Sequence, residues 1–401
     1  MSKNVLVIGN GFDLYHFLPT RYIDFLRAVN RLIELDEIGR LNSCKYIKYI
    51  WGPDSPVYIK DIYIRECYKV HSKKMQSVEL EQDNLRELVD ICRNNIWITY
   101  FRRCLEKNIG WIDFEKEIGN VLLAVQDLFK LDGKTNVLIE GVALNGITSL
   151  DLKTIDILGQ LPFAEYQCDL FSFNGDYSFK LNKDYCKKGI DEQYYIGMNK
   201  DKMLDELDED LDELAKALCI YLKEFVQKIA ISKNSDNPIF YNIDKVLSFN
   251  YTDTYRKLYS EDVAIKFIHG SIDDEKGIVL GINNDDKDEL DNMDADLIRF
   301  KKYYQRAIKD TFYSVDDFLD EEIMYNVAIV GHSIDVTDRD ILVGLMDHPR
   351  TNITIYYHDD KAYRLQMVNL IKMVGKSRFD QLRNNKKVTF ERLQAYKEAD
   401  E

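Results

Sequence analysis

The chain has 401 residues, 45% hydrophobic and 31% charged, a globular composition with room for about two to three domain-sized units. Its 54 basic and 69 acidic side chains leave a net charge of −15, which argues against a general binder of nucleic-acid backbones, since that affinity rests on clustered Lys and Arg. The 7 cysteines are odd in number and widely spread with no C-x-x-C, no apolar run approaches transmembrane length, and the first strand starts too early for a signal peptide. The expectation is a reduced, cytoplasmic chain with neither disulfide framework nor membrane contact.

The first element is Val5-Leu6-Val7-Ile8, an unbroken apolar run that enters Gly9-Asn10-Gly11. Only a strand covered on both faces calls for such a run. The two glycines allow a sharp turn and close approach of a ligand, and a following helix would aim N–H groups at an anion such as a pyrophosphate. The third glycine of the dinucleotide fingerprint falls at Leu14, so a structural turn and a ligand loop stay equally open on these residues alone.

Arg21 to Leu41 has helical apolar spacing at Tyr22, Phe25, Leu26, Val29, Leu32 and Ile33. From Lys45 to about Ile231 the pattern is mostly helical, with stretches over Glu79–Leu105, Phe114–Leu131 and Met203–Ile231. Asp113 is placed to cap the second of these, with Trp111 packing beside it, and a small hairpin is expected around Asn174-Gly175.

Near Ile239 short strands return, each ending in polar residues. Lys245–Phe249 leads to Asn250-Tyr251-Thr252-Asp253, Ala264–Ile268 to His269-Gly270-Ser271, and Gly277–Gly281 to Asn283-Asn284. After an acidic helical stretch, Val327–Val330 leads to Gly331-His332-Ser333 and Ile353–Tyr357 to His358-Asp359-Asp360, with Lys387–Phe390 as a last strand. The assembly expected is α/β: a parallel Rossmann-like sheet from residues 1–40 and 240–401, interrupted by a mostly helical insertion over 41–239. In such sheets ligands bind outside the carboxyl ends of the strands, where these polar clusters would converge.

Each cluster carries two readings. Asn250 either holds a ribose hydroxyl or a water through its amide, or caps the next helix, and capping is favoured on chemistry alone. His269 is either a proton acceptor at neutral pH or a histidine satisfied in a turn. Ser333 could donate to a phosphate or ribose, while Asp338 is the natural N-cap of a helix running to Leu345. Gly331-x-Ser333 is not a nucleophile elbow, because position 335 is Asp. No His, Cys, Asp or Glu set has metal-ligand spacing, so no metal is expected.

Val7-Ile8-Gly9-Asn10-Gly11-Phe12-Asp13-Leu14 followed by Leu18-Pro19-Thr20-x-Tyr22-x-x-Phe25 resembles the opening of the phage abortive-infection AbiH family. Trp111-x-Asp113-x-Glu115, Phe249-Asn250-Tyr251-Thr252, His269-Gly270, and Gly331-His332-Ser333 with Asp338 follow in the family's order. More distantly the same residues are similar to sirtuin-like NAD-binding proteins, with departures. Thr252 stands where an Asp is common, and the four-cysteine zinc module is missing.

The resemblance implies an antiphage effector that cleaves NAD, a dinucleotide ligand, at the nicotinamide–ribose bond. Gly9, Asn10, Gly11 and Phe12 would form the pyrophosphate loop. Asn250 would position ribose or water, and His269 would act as base. Gly331, His332, Ser333 and Asp338 would hold the adenosine-side ribose. Asp13 would stabilise the developing positive charge, with a helix cap as its alternative. A nucleotide-binding sensor without turnover is the second reading and a nucleic-acid-cleaving effector the third. A homo-oligomer or companion defence protein, engaged through the insertion, and a phage-derived trigger are the partners expected.

Overall fold

The computed structural model describes residues 2–107, 112–132, 135–138, 141–144, 150–168, 177–189, 195–229, 235–274, 276–282, 295–311 and 314–397. Six strands form a parallel sheet: β1 (Lys3–Ile8), β2 (Lys245–Ser248), β3 (Ala264–Phe267), β4 (Tyr325–Val330), β5 (Thr351–Tyr357) and β6 (Val388–Arg392). Their order is β3-β2-β1-β4-β5-β6, and every pairing is parallel. The chain winds outward from β1 to β3, then starts again at β4 on the other side of β1. That is the doubly wound Rossmann order, with its switch point between β1 and β4.

The unbroken apolar run of β1 has the expected cause. Successive strand side chains point to opposite faces. Val5 and Val7 enter a core with Leu247, Val327, Ile329, Ile353 and Ile355, while Leu6 and Ile8 enter another with Phe12, Phe240, Val246 and Val330. Val5, Leu6, Val7 and Ile8 are each at most 1% exposed. Register then fixes the functional edge: Ile8 is level with Ser248 and Val330, Ser248 with Phe267, and Val330 with Tyr356. One or two residues beyond that row stand Gly9, Asn250, His269, Gly331 and His332.

Packing divides the chain into two units. The first comprises Met1–Asp90, Ala215–Val279 and Gln305–Glu401, and the second Ile91–Leu214 with Leu280–Tyr304. The expected boundaries at 41 and 239 follow the sheet, whereas the packing boundaries draw residues 41–90 and 215–239 to it. Aromatic contacts explain the difference: buried Trp51 meets Tyr221 and Phe225 at 5.9 and 5.5 Å. The Tyr221 hydroxyl donates to Pro19 O and the Tyr63 hydroxyl to Leu18 O, both at 2.7 Å, on the loop that follows the β1 turn.

The second unit is helical, as expected, but also carries short strands. Thr135–Leu138, Gly141–Leu144, Tyr177–Leu181 and Ala164–Cys168 form an antiparallel sheet in that order, and Cys186–Lys188 pairs with Tyr195–Met198. The hairpin expected at Asn174-Gly175 lies outside the described residues, as do Trp111 and Asn283-Asn284. Asp113 does cap the helix Phe114–Phe129, accepting from Lys116 N at 3.2 Å. The helical stretch expected over Glu79–Leu105 holds two helices, Gln82–Asn94 and Ile96–Lys107. Buried Asn95 separates them by accepting from Ile98 N at 3.1 Å, an N-cap at the start of the second.

One expected strand is corrected. Ile278–Leu280 makes no ladder; Val279 N donates to His269 O at 2.8 Å in an irregular run. No helix among the described residues is long and apolar enough to cross a membrane.

Candidate functional site

The turn after β1 and the turn after β4 are pressed together. Gly331 has φ +67°, a left-handed conformation that favours glycine. A Cβ there would lie 2.1 Å from Phe12 N, and one on Gly11 would lie 2.7 Å from Gly331 Cα. Gly11 N donates to Gly331 O and Phe12 N to Gly9 O, both at 2.8 Å. The glycines are therefore accounted for by the approach of two backbones, and those two N–H groups are engaged inside the protein. Of the two readings the glycine pair left open, this geometry accounts for the structural turn: the neighbour that comes close is a loop. The helix that follows, Asn10–Tyr15, is a turn and a half long.

Phe12, expected in the ligand loop, is fully buried in an aromatic core, edge-on to Phe240 at 5.3 Å. Asn10 remains at the surface, its Oδ1 accepting from Thr20 Oγ1 at 2.6 Å. Ser333 is also exposed.

Asp13 lies beneath the β1 turn and is 1% exposed. It does not cap its helix; Thr252 Oγ1 donates to its Oδ2 at 2.6 Å, and Thr254 Oγ1 donates in turn to Thr252 Oγ1 at 3.0 Å. Burial raises the Asp13 carboxyl from its ordinary 3.8 to about 6, against smaller opposing effects of Thr252, Thr254 and Asn250. Its Oδ1 has no hydrogen-bond partner among the described residues.

Asn250 is 5% exposed. Its backbone is held by Ser248, whose hydroxyl accepts from Asn250 N and donates to Asn250 O, each at 3.1 Å. The capping role is not met, because the next helix starts only at Thr254, with no side-chain cap. The amide lies close enough to Asp13 to lower its pKa, while neither amide atom has a full hydrogen-bond partner among the described residues. A buried carboxylate oxygen and a buried amide, side by side and unsatisfied, cost about 1–3 kcal/mol each. Such groups call for a water or a ligand.

Across the same edge, Asp338 joins two histidines. His269 Nε2 meets Asp338 Oδ1 at 3.0 Å, and His332 Nε2 meets Asp338 Oδ2 at 3.2 Å. All three residues are less than a tenth exposed. Phe249, at the end of β2, sets its ring edge-on to both imidazoles, 5.6 Å from His269 and 4.5 Å from His332. Asp338 sits at the N-cap position of the helix Arg339–Asp347, yet its side chain makes no cap hydrogen bond. The carboxylate turns to the histidines instead of capping, which corrects the capping expectation.

Thr252 entered the sequence reading only as a departure from the sirtuin-like pattern, and neither it nor Thr254 was read as a partner of Asp13. Their signal was the run of hydroxyls after Asn250, which gains meaning only beside a buried acid. His16 was also missed, and it is structural. Its Nδ1 pairs with Phe12 O at 2.8 Å and its Nε2 with the Tyr259 hydroxyl at 2.7 Å, while burial lowers its pKa to about 4. Among the described residues no group of three or more His, Cys, Asp and Glu side chains is placed to hold a metal ion.

A doubly wound parallel sheet with buried polar side chains gathered at its carboxyl edge defines a Rossmann-like α/β protein. The sequence profile of the bacteriophage abortive infection AbiH family matches residues 5–359, so the chain belongs to that family. The matched span takes in every cluster residue from Asp13 to Asp338. No curated protein and no solved structure matches the chain.

Proposed function

We propose that this protein is an abortive-infection effector that hydrolyses NAD at its nicotinamide–ribose bond. Family membership supports the role in phage defence. The observation that carries the chemistry is the pair of Asp13 Oδ1 and the Asn250 amide, buried without full hydrogen-bond partners among the described residues, at the carboxyl edge that also holds a carboxylate-bound histidine.

Nicotinamide in NAD is already cationic, so its C–N bond breaks with the electron pair returning to the ring nitrogen. The enzyme has to stabilise the oxocarbenium-like ribose and deliver water to it. Asp13, ionised above about pH 6, supplies the negative charge. Asn250 donates and accepts to the ribose hydroxyls or the water. His269 takes the proton as the water oxygen bonds to the anomeric carbon. Asn10 and Ser333, exposed at the same edge, are left to meet the phosphates. A cell would be harmed by this activity, so it is held silent until infection.

Thr252, standing where the sirtuin-like pattern commonly has an Asp, favours a second reading, a nucleotide sensor without turnover. NAD consumption by purified protein and by infected cells, wild type beside His269→Ala, separates the two. Loss of NAD with wild type alone supports hydrolysis. Stable NAD in both settings with protection intact overturns it.

A further inference from the structure

We propose that Asp338, anchored by His332, is the positioning residue that fixes the tautomer of His269 and makes Nδ1 its basic nitrogen. The role given to His269 rests on the hydrolase reading; the tautomer itself does not.

The argument starts at His332. Ile334 N donates to His332 Nδ1 at 2.9 Å, so Nδ1 carries the lone pair and Nε2 carries the hydrogen. That Nε2–H donates to Asp338 Oδ2. The turn holding this arrangement is stiff: Gly331 at φ +67° and Ile334 at φ +56° both sit in the left-handed region. Gln366 Nε2 donates to His332 O at 3.0 Å and Asn369 Nδ2 to Ser333 O at 3.1 Å, which fastens the loop to the helix Asp360–Val374.

Asp338 therefore offers its second oxygen, Oδ1, to His269 Nε2. An ionised carboxylate only accepts, so Nε2 of His269 is protonated and Nδ1 carries the lone pair. The carboxylate reaches His269 from the β4 side of the sheet, while His269 follows β3, with β1 and β2 between them. The contact thus closes over the carboxyl ends of the two central strands. Asp338 touches no reacting atom in this scheme; it acts through the imidazole.

Asp338→Asn tests this with almost no change of shape. An Asn has one acceptor and one donor end, so it cannot accept from two N–H groups. His332 is locked by Ile334 N, hence His269 has to invert, presenting an Nε2 lone pair to the new amide and moving its hydrogen to Nδ1. The same replacement in a serine-protease triad loses about 10⁴-fold in turnover by imposing the wrong tautomer.

The experiment is nitrogen NMR of the full-length protein with its 6 histidines isotope-labelled, assigned by single substitutions, together with NAD turnover. In wild type, His269 and His332 should both show protonated Nε2. In Asp338→Asn, His269 should switch to protonated Nδ1 and His332 should not, with at least a hundredfold loss of kcat at little change in KM. A wild-type His269 protonated at Nδ1 overturns the proposal without any variant, even should Asp338→Asn not fold. An unswitched His269 in a folded variant overturns it equally. A switch in a protein whose wild type consumes NAD neither when purified nor in infected cells upholds the positioning role and rejects the hydrolase reading.

Discussion

Asp13 is an acid kept where an acid is uncomfortable. Its carboxyl ionises near pH 6 when folded and near its ordinary 3.8 when unfolded, so between those values the folded protein binds the extra proton. Stability linked to this group is full below about pH 4 and falls as pH climbs through about 6, a loss of about 3 kcal/mol at neutral pH. Asp13→Asn keeps the acceptor for Thr252 Oγ1 and removes the charge. Urea unfolding at pH 7 should show the variant more stable by about 2–3 kcal/mol, and at pH 4 the two should coincide. A gain independent of pH would mean the carboxylate is not buried as described. NAD turnover should fall in the same variant, the stability–activity opposition expected of a group retained for function.

At the scale of elements, the two turns at the switch point carry the strictest backbone demand. Gly331 and Gly277 both have positive φ, +67° and +74°, but a Cβ on Gly331 strikes the Phe12 backbone whereas one on Gly277 meets nothing within 4 Å. Gly277→Ala should lose about 1–2 kcal/mol from the left-handed conformation alone. Gly331→Ala should lose several kcal/mol more, read as the difference in urea midpoint at unchanged slope. Equal losses would mean that the turns are not packed backbone to backbone.

The glycines themselves were plain in the sequence, and so was the strand before them. What they make room for was not, because a glycine doublet reads alike whether a phosphate or a second loop fills the space. Asn250 shows the converse. Its residue type and place after a strand fitted a cap, but three residues separate it from the helix that starts at Thr254, so its amide does not cap it. The Asp338–His332–His269 contact could not be read at all, since it joins loops from opposite sides of β1.

Over the whole molecule, the sheet was legible because its inner strands are short, largely apolar runs with a polar end, a pattern that burial forces on them. The division into packing units was not, since residues 41–90 join the sheet-bearing unit through contacts distant in sequence, such as Trp51 with Tyr221. The short strands of the second unit, three to five residues each, are too brief for alternation to announce them. Ligand linkage tests the molecule as one system. A ligand that binds only the folded form stabilises it by about 2.7 kcal/mol at a hundred times its Kd. NAD should therefore raise the melting temperature of His269→Ala, in which the base is removed and the buried pair is kept. It should leave Asn250→Ala unshifted, because the amide proposed to meet the ribose is gone. A shift in both variants would place NAD away from Asn250, and a shift in neither would remove the dinucleotide from the site altogether, leaving the buried pair to another ligand.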